Sequence, residues 1–206
     1  MKICVVGIGY VGLSNAILMS QNYAVTLLDI NESKVNKINS KQSPIIEKMI
    51  SEYLVSKNLN LIATTDKKIA FKNKDYIVID VPTNFSEKIN GFDTSIIDLI
   101  IKDISLLNPS AVVIIKSTVP IGFTESISKK YQMSNLYFCP EFLREGQSLK
   151  DSLYPSRIVI GGSTPQAKQF TKILIECALK DDIEVFFTSN AEAESIKLFS
   201  NSYLAM

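Results

Sequence analysis

The chain contains a set of side chains suited to proton transfer and oxyanion stabilisation: two carboxylates, two hydroxyls, one amine and one amide. The members of this set are Thr83, Thr118, Glu141, Glu145, Lys197 and Asn201. The first four follow predicted strands whose carboxyl ends meet at one edge of a parallel sheet, where ligands bind. The last two lie four residues apart and share a face of the last predicted helix. A group that gives up hydride needs such a set, to lose a proton and to hold developing negative charge.

The element that would position this set is a glycine-rich turn near the amino terminus. Residues 7–12 have the pattern G-x-G-x-x-G, between the apolar run 2–6 and apolar residues at helical spacing. Gly7, Gly9 and Gly12 would allow a tight turn, close approach of a pyrophosphate and packing of the helix on the strand. The helix N-terminus would then face the phosphates. Glycines that serve packing alone are the alternative.

A second apolar run, 24–28, ends at Asp29, about 20 residues beyond the turn, where the dinucleotide fingerprint places an acid. Asp29 would bind the adenosine ribose hydroxyls and repel a 2′-phosphate, which favours NAD over NADP. Lys34 would lie at the adenine or ribose edge, or else be a solvated helix lysine. Thr83 and Asn84 would lie near the nicotinamide ribose, or else serve turn chemistry. A surface loop in which Arg144 pairs with its own glutamates is the alternative for residues 141–145.

Composition limits the class of protein. The sequence has 206 residues, a net charge of +1 and no histidine, so nucleic acid and anionic membranes are not expected partners. Acid–base chemistry would fall to carboxylates, lysine, cysteine, hydroxyls or water. Cys4, Cys139 and Cys177 are far apart, so we expect no disulfide, no metal site and a reduced, cytoplasmic setting. No window reaches the ~18 apolar residues of a membrane span, and no signal peptide is recognised.

Alternating apolar runs and amphipathic segments predict the fold class: α/β, a doubly wound, mostly parallel Rossmann-type sheet with helices on both faces. The predicted strands are 2–6, 24–28, 59–63, 76–81, 111–116, 136–139, 157–162 with its turn, and 184–187. The predicted helices follow residue 12, Asn31, Ser43-Pro44, Thr65 or Asp66 and Asp93 or Thr94, and cover 123–131, 165–178 and 190–206. The stretch 82–92 is predicted to be a long polar loop.

The last predicted helix, 190–206, stops without a glycine cap, a proline or a basic last turn. We therefore expect a division into an NAD-binding Rossmann-like domain, 1–189, and the start of a connecting helix, 190–206. That helix would be truncated and would lead into a second domain that binds the rest of the substrate.

Six segments carry a resemblance to a known family: 7–12 (GIGYVG), 81–84 (VPTN), 115–123 (IKSTVPIGF), 140–146 (PEFLREG), 154–157 (YPSR) and 192–201 (EAESIKLFSN). In order and spacing they resemble the family of UDP-glucose and GDP-mannose dehydrogenases. The Phe-Leu-Arg-Glu form of the 140–146 motif resembles these two branches more than the N-acetylmannosamine branch. The resemblance implies oxidation of UDP-glucose at C6 to UDP-glucuronate by two NAD⁺. A cysteine would hold the carbon as a thiohemiacetal and then as a thioester, which water hydrolyses. It also implies a homodimer for the full-length protein.

The resemblance assigns roles by motif. It implies NAD contacts for Gly7, Gly9, Tyr10, Val11, Gly12, Asp29, Lys34, Thr83, Thr118 and Glu145. It implies contacts to the nucleotide sugar for Glu141, Phe142, Leu143, Arg144, Glu145, Lys197 and Asn201. In catalysis, Lys197 and Asn201 would stabilise oxyanions, Thr118 would position a water and Glu145 is the candidate base for thioester hydrolysis.

Two positions depart from the family's pattern. The nucleophilic cysteine of the family lies in a later glycine-rich segment that this sequence does not contain. Cys139 precedes the 140–146 motif, so we interpret it as a small buried residue at a strand end. Asp80 stands where a small residue is expected, with Lys116 or a backbone donor as its candidate partner. GDP-mannose oxidation and a non-catalytic NAD-binding module stay open as alternative functions.

Overall fold

The computed structural model describes residues 1–87 and 90–204, and a parallel sheet forms its centre. The strands are β1 Lys2–Val6, β2 Ala24–Leu28, β3 Leu61–Thr64, β4 Tyr76–Ile79, β5 Phe85–Ser86, β6 Gly91–Phe92, β7 Val112–Ile115, β8 Leu136–Phe138, β9 Ile158–Gly161 and β10 Val185–Thr188. Six of them form a sheet of order β3-β2-β1-β4-β7-β8, parallel throughout. The strand order reverses between β1 and β4, which is the switch point of a doubly wound sheet.

Helices cover both faces of this sheet, as predicted. They are α1 Tyr10–Ser20, α2 Glu32–Asn39, α3 Lys48–Ser56, α4 Lys67–Phe71, α5 Ser95–Leu107, α6 Phe123–Tyr131, α7 Ser148–Leu153, α8 Pro165–Cys177 and α9 Asn190–Leu204. Successive strand residues point to opposite faces, so Val78 joins a core with α1, α3, α7 and α8, while Ile77 joins a core with α4, α5, α6 and α9. None of the helices among the described residues is long and apolar enough to cross a membrane.

Most predicted elements are confirmed, including strands 2–6 and 24–28 and the helix 123–131. The cap predictions hold for Asn31, whose side chain accepts from the backbone N–H of Lys34, and for Asp66. Asp93 accepts from the N–H of Ser95, whereas the side chain of Thr94 makes no capping bond. The predicted helix 190–206 extends partly beyond the described residues, and so does the predicted loop 82–92 at positions 88 and 89.

The prediction of a helix starting at Ser43-Pro44 is wrong. Helix α3 begins only at Lys48, and Ile46, which lies within the predicted helix, is 92% exposed. The reason is Glu47, which is buried and accepts from the backbone N–H groups of Ser148 (3.1 Å) and Leu149 (2.8 Å) at the start of α7. Residues 44–46 form bends, and the extended backbone of Glu47 turns its side chain toward α7 instead of continuing a helix.

The structure differs from the predicted elements at three further places: helix α7, the strand pair β5–β6 and the strand pair β9–β10. Helix α7 has no side-chain bond from its own N-cap residue, Gln147, and is capped by Glu47 instead. The predicted loop 82–92 contains the antiparallel pair β5–β6, whose rings Phe85 and Phe92 meet edge to face. Strands β9 and β10 pair with each other in a separate two-stranded sheet.

The glycine turn is fixed by close backbone contacts. Gly7 has φ +108°, and a Cβ atom on it would lie 2.0 Å from the carbonyl oxygen of Asp80. A Cβ atom on Gly12 would lie 2.1 Å from the carbonyl oxygen of Gly7. Around Gly9 there is open space to 4 Å. Packing therefore requires glycine at 7 and 12, while position 9 borders the space that a ligand would occupy.

We expect Gly12→Ala to lower the free energy of unfolding by about 1–3 kcal/mol, because its methyl group would overlap a backbone oxygen that cannot rotate away. Gly9→Ala is the matched control and should stay within about 0.5 kcal/mol of the parent. Urea unfolding followed by far-UV circular dichroism measures both. Equal midpoints for the two variants would contradict the packing role of Gly12.

Candidate functional site

Hydrogen bonds connect the glycine turn to Asp29 at the end of β2 and to Lys34 of α2. The backbone N–H of Ile8 donates to Asp29 Oδ2 (2.8 Å), and the N–H of Asn31 donates to Asp29 Oδ1 (2.9 Å). The Lys34 ammonium donates to the carbonyl of Ile8 (3.1 Å). Asp29 and Lys34 thus lie beside the turn, as the sequence predicts for groups that contact an adenosine ribose. Tyr10 and Val11, the first residues of α1, are half-buried beside exposed Gly9.

Thr83 and Thr118 meet at the carboxyl ends of neighbouring strands β4 and β7. The Thr83 hydroxyl donates to the carbonyl of Thr118 at 2.7 Å. Next to this contact, the N–H of Val81 donates to the Ser117 hydroxyl at 2.9 Å. Both threonines are half-buried. The two strand-end loops are therefore held together, with both side chains at the edge where a dinucleotide would pass.

Lys197 and Glu141 form a shielded ion pair. The Lys197 ammonium lies 2.7 Å from Glu141 Oε1 and 2.8 Å from the Glu141 carbonyl, and the lysine is only 6% exposed. Glu141 Oε2 accepts from the backbone N–H of Leu143 at 2.6 Å. Because both carboxylate oxygens have donors, the lysine and the loop 140–146 hold each other in place.

Residues 140–144 of this loop border a cavity of about 320 Å³. The Arg157 guanidinium stacks 4.2 Å from the centre of the Phe142 ring. Arg144 pairs with Asp151 through two bonds of 3.0 and 2.7 Å. The alternative in which Arg144 pairs with its own glutamates is therefore wrong. The Arg144 guanidinium holds the pKa of the Asp151 carboxyl below its ordinary value.

Glu145 and Asn201 are not joined to this cluster. Both are exposed, and within residues 1–87 and 90–204 the structure records no hydrogen bond from either side chain. Asn201 follows Lys197 by one turn of α9, as predicted. The binding and catalytic roles of these two residues stay predictions.

Asp80 lies one residue beyond β4, next to Lys116 beyond β7. Its Oδ2 atom is buried and has no hydrogen-bond partner among the described residues. Burial raises the pKa of Asp80 to about 7, against the opposing effect of the Lys116 ammonium. Lys116 itself is 5% exposed and reaches the Cys139 carbonyl at 3.4 Å.

The three cysteines of the sequence, Cys4, Cys139 and Cys177, are all unpaired and buried. Burial raises the pKa of Cys139, although the Lys116 ammonium 3.9 Å from its sulfur opposes this. Burial also raises the pKa of Cys4 and of Cys177 to about 12. A thiol that stays protonated is a poor nucleophile, so Cys139 is a core residue, as predicted.

Comparison with known proteins identifies this arrangement. Residues 1–178 match the family model for the NAD binding domain of the UDP-glucose/GDP-mannose dehydrogenase family. The chain belongs to this family. It is 50% identical over 208 residues to UDP-glucose 6-dehydrogenase of Campylobacter jejuni and 42% identical over 211 residues to that of Streptococcus pneumoniae. These alignments cover all of this chain but only 53% and 54% of the relatives, so it spans about half their length.

Solved structures of the family share the fold. A UDP-glucose dehydrogenase from Pyrobaculum islandicum superposes with a TM-score of 0.88 at 27% identity, covering 99% of this chain and 50% of that one. A GDP-mannose dehydrogenase from Pseudomonas aeruginosa superposes with a TM-score of 0.86 at 26% identity, covering 100% and 50%.

The cofactor of this family domain is NAD, and the residues fit it. The free N–H groups at the start of α1 suit a pyrophosphate, and the space around Gly9 leaves the backbone accessible. Asp29 accepts a hydrogen bond from the backbone of the turn. An acid at this position, at the end of β2, is the one expected to bind the ribose hydroxyls. Among the described residues no cluster suited to a metal ion occurs.

Sequence reasoning missed Glu194 of α9, which caps α6. Glu194 is fully buried and accepts from the N–H of Gly122 (2.6 Å), the N–H of Thr124 (2.8 Å) and the Thr124 hydroxyl (2.6 Å). It therefore fixes the stretch that leads from Thr118 into α6. The available signal was an acid three residues before Lys197 on the same face of a helix.

We expect Glu194→Ala to lower the free energy of unfolding by about 1–3 kcal/mol, because buried N–H groups at the start of α6 would lose their acceptor. Glu125→Ala, at an exposed position of α6, is the control and should have little effect. Thermal and urea unfolding measure both variants. A stability of Glu194→Ala equal to that of Glu125→Ala would exclude the capping role.

Proposed function

We propose that this chain is the NAD-binding part of an enzyme that oxidises UDP-glucose at C6 to UDP-glucuronate. The observation that carries the proposal is the Lys197–Glu141 pair. Glu141 follows β8, and Thr118 follows the neighbouring strand β7, so the pair and the threonine lie at the same edge of the sheet. The proposal is supported by 50% identity to a UDP-glucose 6-dehydrogenase along the entire chain. Bound NAD⁺ supplies the chemistry of hydride acceptance. Asp29, Lys34 and the glycine turn would hold its adenosine and pyrophosphate, and Thr83 and Thr118 its nicotinamide side.

Lys197 is the residue best placed to act on the sugar. Its ammonium is shielded from solvent and held within 2.8 Å of Glu141, so it would stabilise negative charge on the C6 oxygen as the alcohol loses its proton and hydride. Glu141, Phe142, Leu143 and Arg144 would border the sugar nucleotide. Asn201 would assist Lys197, because it lies one turn further along α9.

The second oxidation needs a covalent intermediate that this part of the protein does not supply. We propose that a cysteine of the remaining part adds to the aldehyde to give a thiohemiacetal, whose oxidation by a second NAD⁺ gives a thioester. Water held by Thr118 and deprotonated by Glu145 would release the carboxylate and restore the thiol. Cys4, Cys139 and Cys177 are unsuited to this role because they are buried and protonated.

The remaining expectations are proposals of the same kind. Residues 1–189 would form the NAD-binding domain, and α9 would begin the connection to the part that binds the rest of UDP-glucose. The full-length protein would be a cytoplasmic homodimer. GDP-mannose is the second candidate substrate, since a GDP-mannose dehydrogenase shares the fold at 26% identity.

We expect Asp29→Ala to weaken NAD binding by at least about tenfold, because a charge-assisted hydrogen bond to the ribose would be lost. Isothermal titration calorimetry with NAD⁺ measures this change. Asp103→Ala removes a carboxylate from a surface ion pair with Lys67 and should leave the affinity unchanged. An unaltered affinity in Asp29→Ala would contradict the cofactor assignment.

The test of the substrate uses the full-length protein with UDP-glucose and with GDP-mannose. NADH formation should be faster with UDP-glucose, and Lys197→Met should lower kcat by at least about 100-fold because an oxyanion donor is lost. Lys129→Met, at an exposed position of α6, is the control. Preference for GDP-mannose would replace the proposed substrate.

Removing Lys197 alone also leaves the half-buried Glu141 without its cation, and an uncompensated charge shielded from solvent is destabilising. The double variant Lys197→Met/Glu141→Gln removes that unpaired charge and tests activity in a folded protein. Activity close to the parent in the folded double variant would rule out the role of Lys197.

A further inference from the structure

Asp80 belongs to a row of residues that crosses the sheet one position beyond the strand ends. Its backbone N–H donates to the carbonyl of Val6 (2.9 Å), so Asp80 neighbours Gly7. The N–H of Lys116 donates to the carbonyl of Ile79 (2.9 Å), which places Lys116 beside Asp80 on the next strand. Strand residues two positions earlier, such as Val78 and Ile114, belong to the core beneath α1. By the alternation of side chains, Asp80 and Lys116 face α1 as well.

The Asp80 side chain lies directly under the glycine turn. A Cβ atom on Gly12, in the first turn of α1, would lie 3.6 Å from Cβ of Asp80. The main chain of Asp80 is in contact with Gly7 on the other side of the turn. The carboxyl group is therefore separated from the pyrophosphate-binding backbone by little more than the turn itself.

Asp80 has too few donors to be held firmly as an anion. Oδ2 is buried without a partner, and no ion pair within 4.0 Å joins Asp80 to Lys116 among the described residues. The neighbouring charges are Lys116 on β7, Glu141 after β8 and Lys197 on α9. The Cys139 thiol stays neutral because its pKa is raised. Helix α1 adds no acidic or basic residue between Tyr10 and Ser20.

These groups leave Asp80 titrating close to neutrality, with a pKa of about 7. Burial favours the neutral carboxyl, Glu141 acts in the same direction, and Lys116 and Lys197 oppose it. A doubly negative pyrophosphate on the glycine turn adds a further charge that favours the neutral form. Binding of the dinucleotide would thus raise the pKa of Asp80.

We propose that NAD binding by this domain is coupled to uptake of a proton by Asp80. If the pKa of Asp80 is higher in the NAD complex than in the free protein, linkage requires the affinity for NAD to decrease as pH rises. The affinity is greatest below the pKa of the free protein and declines as pH increases through it. The inference rests on NAD binding and not on the identity of the sugar nucleotide.

The experiment is calorimetric titration of the protein with NAD⁺ and with ADP-ribose at pH 7.5, in buffers of low and high ionisation enthalpy. ADP-ribose carries the pyrophosphate without the positive nicotinamide ring. We expect uptake of about a third of a proton with ADP-ribose, and an affinity that falls about threefold between about pH 6.5 and 8.5. With NAD⁺ the direction should be the same, because the pyrophosphate is the nearer charge. Asp80→Asn should bind both ligands without proton uptake and without this pH dependence.

Two results would overturn the proposal: equal proton uptake by the parent and Asp80→Asn, or release of protons by the parent with ADP-ribose. Lys116→Met tests the same point if Asp80→Asn does not fold. Removing the nearest opposing cation should move the uptake to higher pH, and an unchanged pH range in this variant would exclude Asp80 as the titrating group. Loss of UDP-glucose oxidation without any change in proton uptake would affect only the proposed function.

Discussion

Helix α9 holds the candidate site together through three polar side chains on one face. Asn190 accepts from the N–H of Phe138 at β8, Glu194 caps α6, and Lys197 pairs with Glu141. Their spacing is that of one helical face. Each contact serves a different segment, so a shift of α9 would leave buried polar groups unpaired in three places, each at about 1–3 kcal/mol. The positions of the segments that carry Thr118 and Glu141 therefore depend on how α9 docks.

The charged side chains at this edge of the sheet differ in how many hydrogen-bond and ion-pair partners they have. Glu141 and Lys197 have close partners, and their geometry is fixed before any ligand arrives. Asp80 and Lys116 are neighbours, but in the described part of the chain no ion pair joins them and Oδ2 of Asp80 has no hydrogen-bond partner. A paired charge orients a substrate, whereas an unpaired buried carboxyl responds to added charge by changing its ionisation. The same strand ends thus provide both a fixed group and a titratable one.

Errors in the sequence predictions share a physical cause. Helix α3 was extended to residue 43 and α7 was missed because Glu47 of one segment caps the other, 101 and 102 residues along the chain. The hairpin β5–β6 depends on two backbone-paired residues in each strand, too few to give a periodic pattern. Elements with a clear local pattern of apolar residues, such as β1 and β2, have the predicted ends.

The sequence by itself determined the doubly wound fold, the glycine turn with Asp29, and the family, since buried strands, amphipathic helices and motif spacing are local signals. Only the tertiary structure decided which polar groups meet. It pairs Lys197 with Glu141, 56 residues away, and places Glu194 on a helix N-terminus 70 residues away. It also leaves Oδ2 of Asp80 beneath the turn without a donor among the described residues. Such contacts depend on strand order and helix docking, which bring distant residues together and have no counterpart in the spacing along the chain.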